Sequence, residues 1–369
     1  MLVCDGAAVA YSGAVTAWRL RAVLLPDDDV VEAGITAAGR WTSVPPADAE
    51  PLPGRFALVG LVDAHCHLNI GQNEKGEPVG LGLPAAAANL AAARAAGVTA
   101  VRDTGSPGSV TLQLVAGDSG DLLVCGRFLA PPDRYYPSLY EPTPAEDLVA
   151  AALAEVAAGA RWVKVVGDFP VMQGAYRPPT DPMPTYPIAD VRRLVEAVHA
   201  AGARVAAHTT TVHVKALIDA GIDSVEHGTR LDEDDLANLA ARGGAWTPTL
   251  CAFTAAPPDE DPERQQRYLH ARQRLGQLLP TAANLGVTIM TGSDIVGTIA
   301  REVALLAEFG LTPAAALAAA STAARRYLGL PGLSEDQPAD LVTYHDDPRN
   351  DPNVLTRPAA VVARGVRIR

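Results

Sequence analysis

Val62-Asp63-Ala64-His65-Cys66-His67-Leu68 closes an apolar run and carries a His-x-His pair. In a β-strand, residues two apart project to the same face, so His65 and His67 stand side by side with Cys66 turned away. Two imidazoles on one rigid strand make a clamp for a metal ion. Alone the pair is a weak signal, because 8 histidines scattered over 369 residues will produce this spacing by chance now and then. Its meaning depends on what accompanies it.

Four later stretches are short, β-rich and mostly apolar, and each carries a metal-capable side chain at or near its end. They are Trp162-Val163-Lys164-Val165-Val166, Val205-Ala206-Ala207-His208, Ser224-Val225-Glu226-His227 and Val287-Thr288-Ile289-Met290-Thr291-Gly292-Ser293-Asp294. Their separations fit successive strands of a βα repeat, and ligands on several strand ends converge only if those strands close into a barrel. Eight strands are predicted, at 59–64, 98–103, 122–126, 161–166, 203–208, 223–227, 243–249 and 286–291. Helical patterns fall at 84–96, 144–158, 188–201, 211–220, 232–241 and 263–284, with 299–308 and 313–328 closing the set. The expected fold is therefore α/β, a (β/α)8 TIM barrel. Its weakest unit is the second, where 110–115 offers barely a helix.

The flanks differ. Residues 1–58 read as short strands broken by Asp27-Asp28-Asp29, Gly39 and Pro45-Pro46, and the segment 339–369 carries similar strands. Strands too few to make separate cores pair best with one another, so 1–58 plus 339–369 are expected to form one small β-sandwich beside a barrel at 59–338. Two loops, 127–143 and 167–187, are longer than a barrel needs and rich in Tyr, Arg and Pro. Both follow strand C-termini, where barrel active sites form.

At 48% hydrophobic and 20% charged, the composition is that of an ordinary globular protein, large enough for one barrel and a smaller module. A net charge of −12 with no basic stripe argues against nucleic acid or an anionic membrane and for a small-molecule partner. Cys4, Cys66, Cys125 and Cys251 show no C-x-x-C spacing, and no signal-peptide pattern opens the chain; a reducing, cytoplasmic setting is expected. The Ala-rich run 84–96 is broken by Asn89 and Arg94, so it reads as an ordinary helix, with no transmembrane span expected. None of these features specifies an oligomeric state, and a homo-oligomer is allowed.

With these motifs assembled, the chain resembles the amidohydrolase superfamily, in particular its imidazolonepropionase-like and Xaa-Pro dipeptidase-like branch. The resemblance is carried by Gly60-Leu61-Val62-Asp63-Ala64-His65-Cys66-His67, Val98-Thr99-Ala100-Val101-Arg102-Asp103, Ala206-Ala207-His208, Ser224-Val225-Glu226-His227-Gly228-Thr229, Pro248-Thr249-Leu250 and Thr291-Gly292-Ser293-Asp294, and it continues through Pro338-Ala339-Asp340-Leu341-Val342. It implies a binuclear zinc centre: His65 and His67 on one ion, His208 and His227 on a second, and Lys164 bridging both if carboxylated. Asp294 would bind the first ion and take the proton from the attacking water. A divalent ion lowers the pKa of water it binds, so that hydroxide is available near neutral pH, and polarises the carbonyl under attack. A carboxylate then carries the proton to the leaving nitrogen. Cleavage of a C–N bond in an amide or dipeptide-like small molecule follows. Two departures stand out: Val59-Gly60 replaces the usual Pro-Gly, and Leu333-Ser334-Glu335-Asp336-Gln337 replaces a Gly-Ser-Ile-x-x-Gly linker.

Each proposed ligand has a plainer reading as a core polar residue bonded to backbone. His213 is expected to be no ligand, and His199, His270 and His345 to be structural. Glu226 precedes a ligand in its strand and is expected to point away from the metal. Arg230 either grips a substrate carboxylate or pairs with Asp232 or Glu233. Arg134, Tyr136 and Tyr176 are candidate substrate contacts, with Tyr135, Tyr140 and Arg177 in the same loops, and Asp103 either orients a ligand or caps the next segment. Rival reactions are a mononuclear cyclic-imide hydrolase or deaminase, and a lactone or phosphate-ester hydrolase using the same binuclear site. Thr209-Thr210-Thr211 after His208 lacks the Glu of the superfamily's deaminases. A non-catalytic scaffold that kept the fold would have lost ligands, and none is lost here.

Overall fold

The computed structural model describes residues 16–115, 121–172, 180–254 and 262–369. Parallel strands form two hydrogen-bonded groups. The first joins β1 (Leu61–Cys66), β2 (Val98–Asp103) and β3 (Leu122–Val124). The second runs in chain order through β4 (Phe128–Leu129), β5 (Trp162–Val166), β6 (Arg204–Thr209), β7 (Ser224–His227), β8 (Ala245–Thr247) and β9 (Thr288–Ile289). β3 and β4 are neighbours along the chain across a bend at Gly126, whose φ is 68°. Beyond β9 the chain returns to β1: the Ala64 amide donates to the Thr291 carbonyl (2.8 Å), the Asp294 amide to the His65 carbonyl (2.7 Å), and Cys66 bridges Asp294 in parallel.

The sheet is curled. Val62, Ala64, Ala100, Leu123, Cys125, Trp162, Ala206, Ala245 and Met290, from strands spread across both groups, meet in one buried cluster. The opposite faces, including Val163, Val165, Val205, Ala207 and Val225, pack on helices at Leu148–Ala157, Ile188–Ala200, Val214–Ala220 and Glu233–Ala241. Burial on both faces is why these strands read as continuous apolar runs instead of alternating ones. Among the described residues, the second connection holds the 3-10 turn Pro107–Ser109 and the short helix Leu112–Val115, as its thin pattern suggests.

The terminal strands combine. Trp18–Leu24, Asp29–Ile35, Trp41–Thr42, Glu50–Pro51 and Phe56–Val59 share one eight-stranded sheet with Leu341–Tyr344, Ala360–Ala363 and Val366–Arg367. The seam is antiparallel, with Val59 opposite Leu341 and Phe56 opposite Tyr344. Leu20, Ile35, Trp41, Leu341 and Val362 form its core. Gly60, just past the seam, is required for close approach: a Cβ there would lie 1.9 Å from the Thr99 hydroxyl oxygen.

One expected helix, 313–328, is two: Pro313–Ala319 and Thr322–Leu328. The carbonyls of Ala319 and Ala320 accept from the strand amides of Thr291 and Val62, and the Ser321 hydroxyl donates to the Val59 carbonyl (2.7 Å). Those carbonyls serve the curled sheet, so the helix stops there. β8 and β9 are also shorter than the expected 243–249 and 286–291.

Candidate metal centre

At its C-terminal end β1 breaks the pairing of a regular strand. Asp63 faces Val101 while Cys66 faces Asp103, a bulge that absorbs one residue. Ala64 belongs to the inner cluster, and His65 and His67 after it also lie on the inner side, where their rings sit 5.3 Å apart. The Asp63 carboxylate accepts from the amides of His65 (3.3 Å) and Ser293 (3.1 Å) and from the Ser293 hydroxyl. One buried acid thus ties the strand bearing the histidine pair to the segment bearing Asp294.

Three imidazoles have their Nδ1 atom engaged. His65 Nδ1 lies 2.6 Å from Glu226 Oε2, and His67 Nδ1 donates to the Gly105 carbonyl (2.9 Å). His227 Nδ1 lies 2.6 Å from the Thr249 hydroxyl, which itself donates to the Pro248 carbonyl and so accepts from the ring. Fixing Nδ1 as donor leaves the Nε2 lone pair for a metal. Asp294 Oδ1 lies 3.5 Å from His67 Nε2 and 4.0 Å from His65 Nε2, and the ligand atoms of these three residues all fall within 4.8 Å of one another. Two donors each ~2.1 Å from a tetrahedral zinc sit roughly 3.4 Å apart, so His67 and Asp294 stand at the separation of two donors to one ion, in a group that could hold a metal.

His208 and His227 continue the arc. Their rings are 4.6 Å apart, and His227 is 4.8 Å from His65. Lys164 is buried on β5, and its amine, among the described residues, makes no ion pair or hydrogen bond. Burial lowers its pKa, opposed by the charges of Glu226, Cys125 and Asp294. Burial likewise pulls His67 down to about 3 and His208 to about 4, and it keeps His65 and His227 well below the usual imidazole range. Neutral imidazole is the ligating form. Burial lifts Asp294 to about 6, with Lys164 pulling the other way.

Three residues of this site have a left-handed backbone: His227 (φ 69°), Thr249 (φ 47°) and Asp294 (φ 53°). Such φ values are uncommon for residues other than glycine and gather where a fold is constrained by function. At His227 the turn ends the alternation of the strand, so Glu226 and His227 both face inward. This corrects the expectation that Glu226 points away. It is fully buried, beside His65 and Arg102.

A model of the amidohydrolase family matches residues 56–368. The chain belongs to the amidohydrolase family. An uncharacterized protein of Mycobacterium tuberculosis (strain ATCC 25618 / H37Rv) is 36% identical over 362 residues, covering 94% of each chain. Among solved structures, this amidohydrolase is similar to a Xaa-Pro dipeptidase with methionine bound in its active site (TM-score 0.77, 21% identity, 95% of this chain and 99% of that one). It is also similar to a prolidase complexed with N-methylphosphonate-L-proline (TM-score 0.76, 23%, 96% and 99%) and to A. niger ochratoxinase (TM-score 0.76, 19%, 95% of each). The protein is an enzyme of a hydrolase family whose members generally depend on metal, and the His65–His67–Asp294 group suits one.

The remaining candidates fall into distinct places in this amidohydrolase. Arg134 Nη2 donates to the carbonyls of Phe169 (2.6 Å), Met183 (2.5 Å) and Pro184 (3.0 Å), clamping the two long loops together. Tyr136 packs edge-on against Phe169, and its phenol is raised by burial and by the charge of Asp294, which places it toward the centre. Arg230 is exposed and, among the described residues, pairs with neither Asp232 nor Glu233. Tyr176 and Arg177, like Cys4, lie outside the described residues. Asp103 accepts from the Leu68 amide (2.8 Å) and the Gly105 amide (3.3 Å), fixing the turn that supports His67. His199 pairs with Asp223 at 2.8 Å, and His213 begins the helix Val214–Ala220. The Thr209–Thr211 segment is held by Asp168, which accepts from all three hydroxyls and from the amides of Thr210 and Thr211. Asp63, Thr249 and Asp168 are not candidates on sequence grounds, although Asp63 and Thr249 lie inside the motifs Val62-Asp63-Ala64-His65 and Pro248-Thr249-Leu250.

Proposed function

We propose that the enzyme is a binuclear metal-dependent hydrolase cleaving the C–N bond of a small amide or dipeptide-like substrate, with its parallel strands forming the (β/α)8 barrel and its terminal strands, 1–58 with 339–369, a separate β module. The observation that carries this reading is the convergence of His65 Nε2, His67 Nε2 and Asp294 Oδ1, with the Nδ1 atoms of both histidines already engaged. His65, His67 and Asp294 would hold one ion, most simply zinc, and His208 and His227 a second. Lys164, whose amine burial holds toward the neutral form, would bridge them after carboxylation. Bound ions would activate water and polarise the scissile carbonyl.

Asp294 takes the proton released by the attacking water and delivers it to the departing nitrogen. Its raised pKa suits a group that must gain and lose a proton near neutrality. Phe128 beside His67 (5.4 Å), Phe169 beside His208 (5.6 Å) and Phe253 beside His227 (5.1 Å) wall the centre with rings that limit water entry. Tyr136 and Arg230 remain the residues proposed to meet substrate. Similarity to a Xaa-Pro dipeptidase, a prolidase and ochratoxinase favours an amide over an ester. The acidic balance and free thiols are consistent with a cytoplasmic enzyme acting on a small molecule.

Elemental analysis of the wild type and Lys164→Ala, followed by assay against dipeptides, N-acyl amino acids and lactones, tests this. About two divalent ions in the wild type, a sharp fall in the variant and turnover of amides are expected. One ion, unchanged by Lys164→Ala, would remove the bridge; turnover of lactones alone would remove the C–N assignment.

A further inference from the structure

We propose that Glu226 is a positioning residue: its carboxylate holds His65 in the Nδ1–H tautomer and fixes the ring so that Nε2 addresses the metal. The inference rests on the reading of His65 as a ligand. It concerns a residue that alternation counted back from His227 would turn away from the site.

Hydrogen bonds inside the curl fix this carboxylate. Glu226 and Arg102 are wholly buried and His65 almost so. Arg102 Nη2 donates to Glu226 Oε1 (2.7 Å), and so does the Ser224 hydroxyl (2.6 Å). Arg102 also donates from Nε to the Ala64 carbonyl (2.6 Å) and from Nη2 to the Thr247 hydroxyl (3.3 Å), while its guanidinium lies 4.5 Å from the Trp162 ring centre. This frame leaves the carboxylate little freedom and pairs its charge. With Oε1 occupied by two donors, Oε2 faces His65 Nδ1 at 2.6 Å, and a carboxylate there can only accept. The ring proton therefore sits on Nδ1. Among the three histidines with an engaged Nδ1, His65 is the one held by a charged partner; His67 has a carbonyl and His227 a hydroxyl. An anionic partner also makes the opposite nitrogen a stronger donor to a cation.

Because removing Glu226 alone would strand Arg102 in the core, the test uses Glu226→Met with Arg102→Met, which replaces a buried ion pair by apolar side chains of similar size. Metal-free wild type and double variant are compared by thermal unfolding and by long-range 1H–15N correlation of 15N-labelled histidine, His65 being assigned with His65→Gln. Zinc affinity at each site is then measured by competition with a chromophoric chelator. The expectation is similar unfolding of the metal-free proteins, loss of the Nδ1–H pattern at His65, and weakening of one zinc site by about 10- to 100-fold with the other little changed. A double variant that keeps the Nδ1–H pattern or binds both ions as the wild type does would overturn the proposal and leave Glu226 as a counter-ion for Arg102. If the double variant unfolds, Glu226→Gln, which keeps an acceptor but loses the charge, takes its place: retention of the Nδ1–H pattern with weaker zinc supports the proposal, and unchanged zinc affinity overturns it. Failure of the wild type to bind zinc would instead remove the metal reading, while the tautomer of His65 would still be observed.

Discussion

The proposed reaction asks two things of Asp294 at once, to hold an ion and to carry a proton, and its surroundings suit both. Its amide is pinned to the His65 carbonyl, its backbone is left-handed, and its carboxyl is buried enough to rise to about 6. Asp294→Asn keeps an oxygen ligand but no longer accepts the proton. With metal content measured in parallel, kcat is expected to fall by about 10²- to 10⁴-fold while KM moves far less. A loss below tenfold with both ions retained would assign the proton to another group. His65, His67 and Asp294 were legible from sequence because each lies at the end of an apolar run, and strand ends on one side of a repeat converge. Glu226 was not, since the rule of alternation assumes an extended backbone and His227, at φ 69°, departs from it.

Elements around the centre are anchored by buried acids. Glu302, near the start of the helix Ile299–Glu308, accepts from the amides of Leu250 (2.8 Å) and Cys251 (3.0 Å), and so fixes the turn after β8 that carries Thr249. Burial raises its pKa to about 7 from an ordinary 4.5. The folded protein thus binds this proton more tightly than the unfolded chain does. The resulting stability is fully present below about 4.5 and is lost as pH rises toward 7. Glu302→Gln, which mimics the protonated acid, should flatten the pH dependence of unfolding free energy in that window relative to wild type. Parallel curves for the two proteins would show that Glu302 titrates normally. Element limits were less legible than element types. The break between Pro313–Ala319 and Thr322–Leu328 is set by strand amides that claim the carbonyls of Ala319 and Ala320, partners nearly thirty and more than 250 residues away in sequence. The clamp of Arg134 is equally invisible locally, because its acceptors are backbone carbonyls of another loop.

For the molecule as a whole, the proposed ligands come from β1, β5, β6, β7 and the segment after β9, so that bound ions would cross-link much of the parallel sheet. An ion held at a concentration 1,000 times its Kd adds about 4 kcal/mol to stability, so stripping it should lower Tm by roughly 5 to 10 °C. Calorimetry before and after chelation, with removal verified by elemental analysis, checks this; an unchanged Tm would mean that the ions do not bind the folded chain in preference to the unfolded one. Among the described residues no helix is long and apolar enough to cross a membrane. The seam between Phe56–Val59 and Leu341–Tyr344 has a consequence in time as well as in space. A ribosome makes the seam's first strand early and must then add the whole of the intervening chain, roughly 15 to 60 seconds of synthesis, before the second strand emerges. Throughout that interval one edge of the first strand is unpaired and open to other nascent chains. The later strand of the seam decides whether the earlier one is protected, and an edge left open for the length of that synthesis is the cost this topology carries.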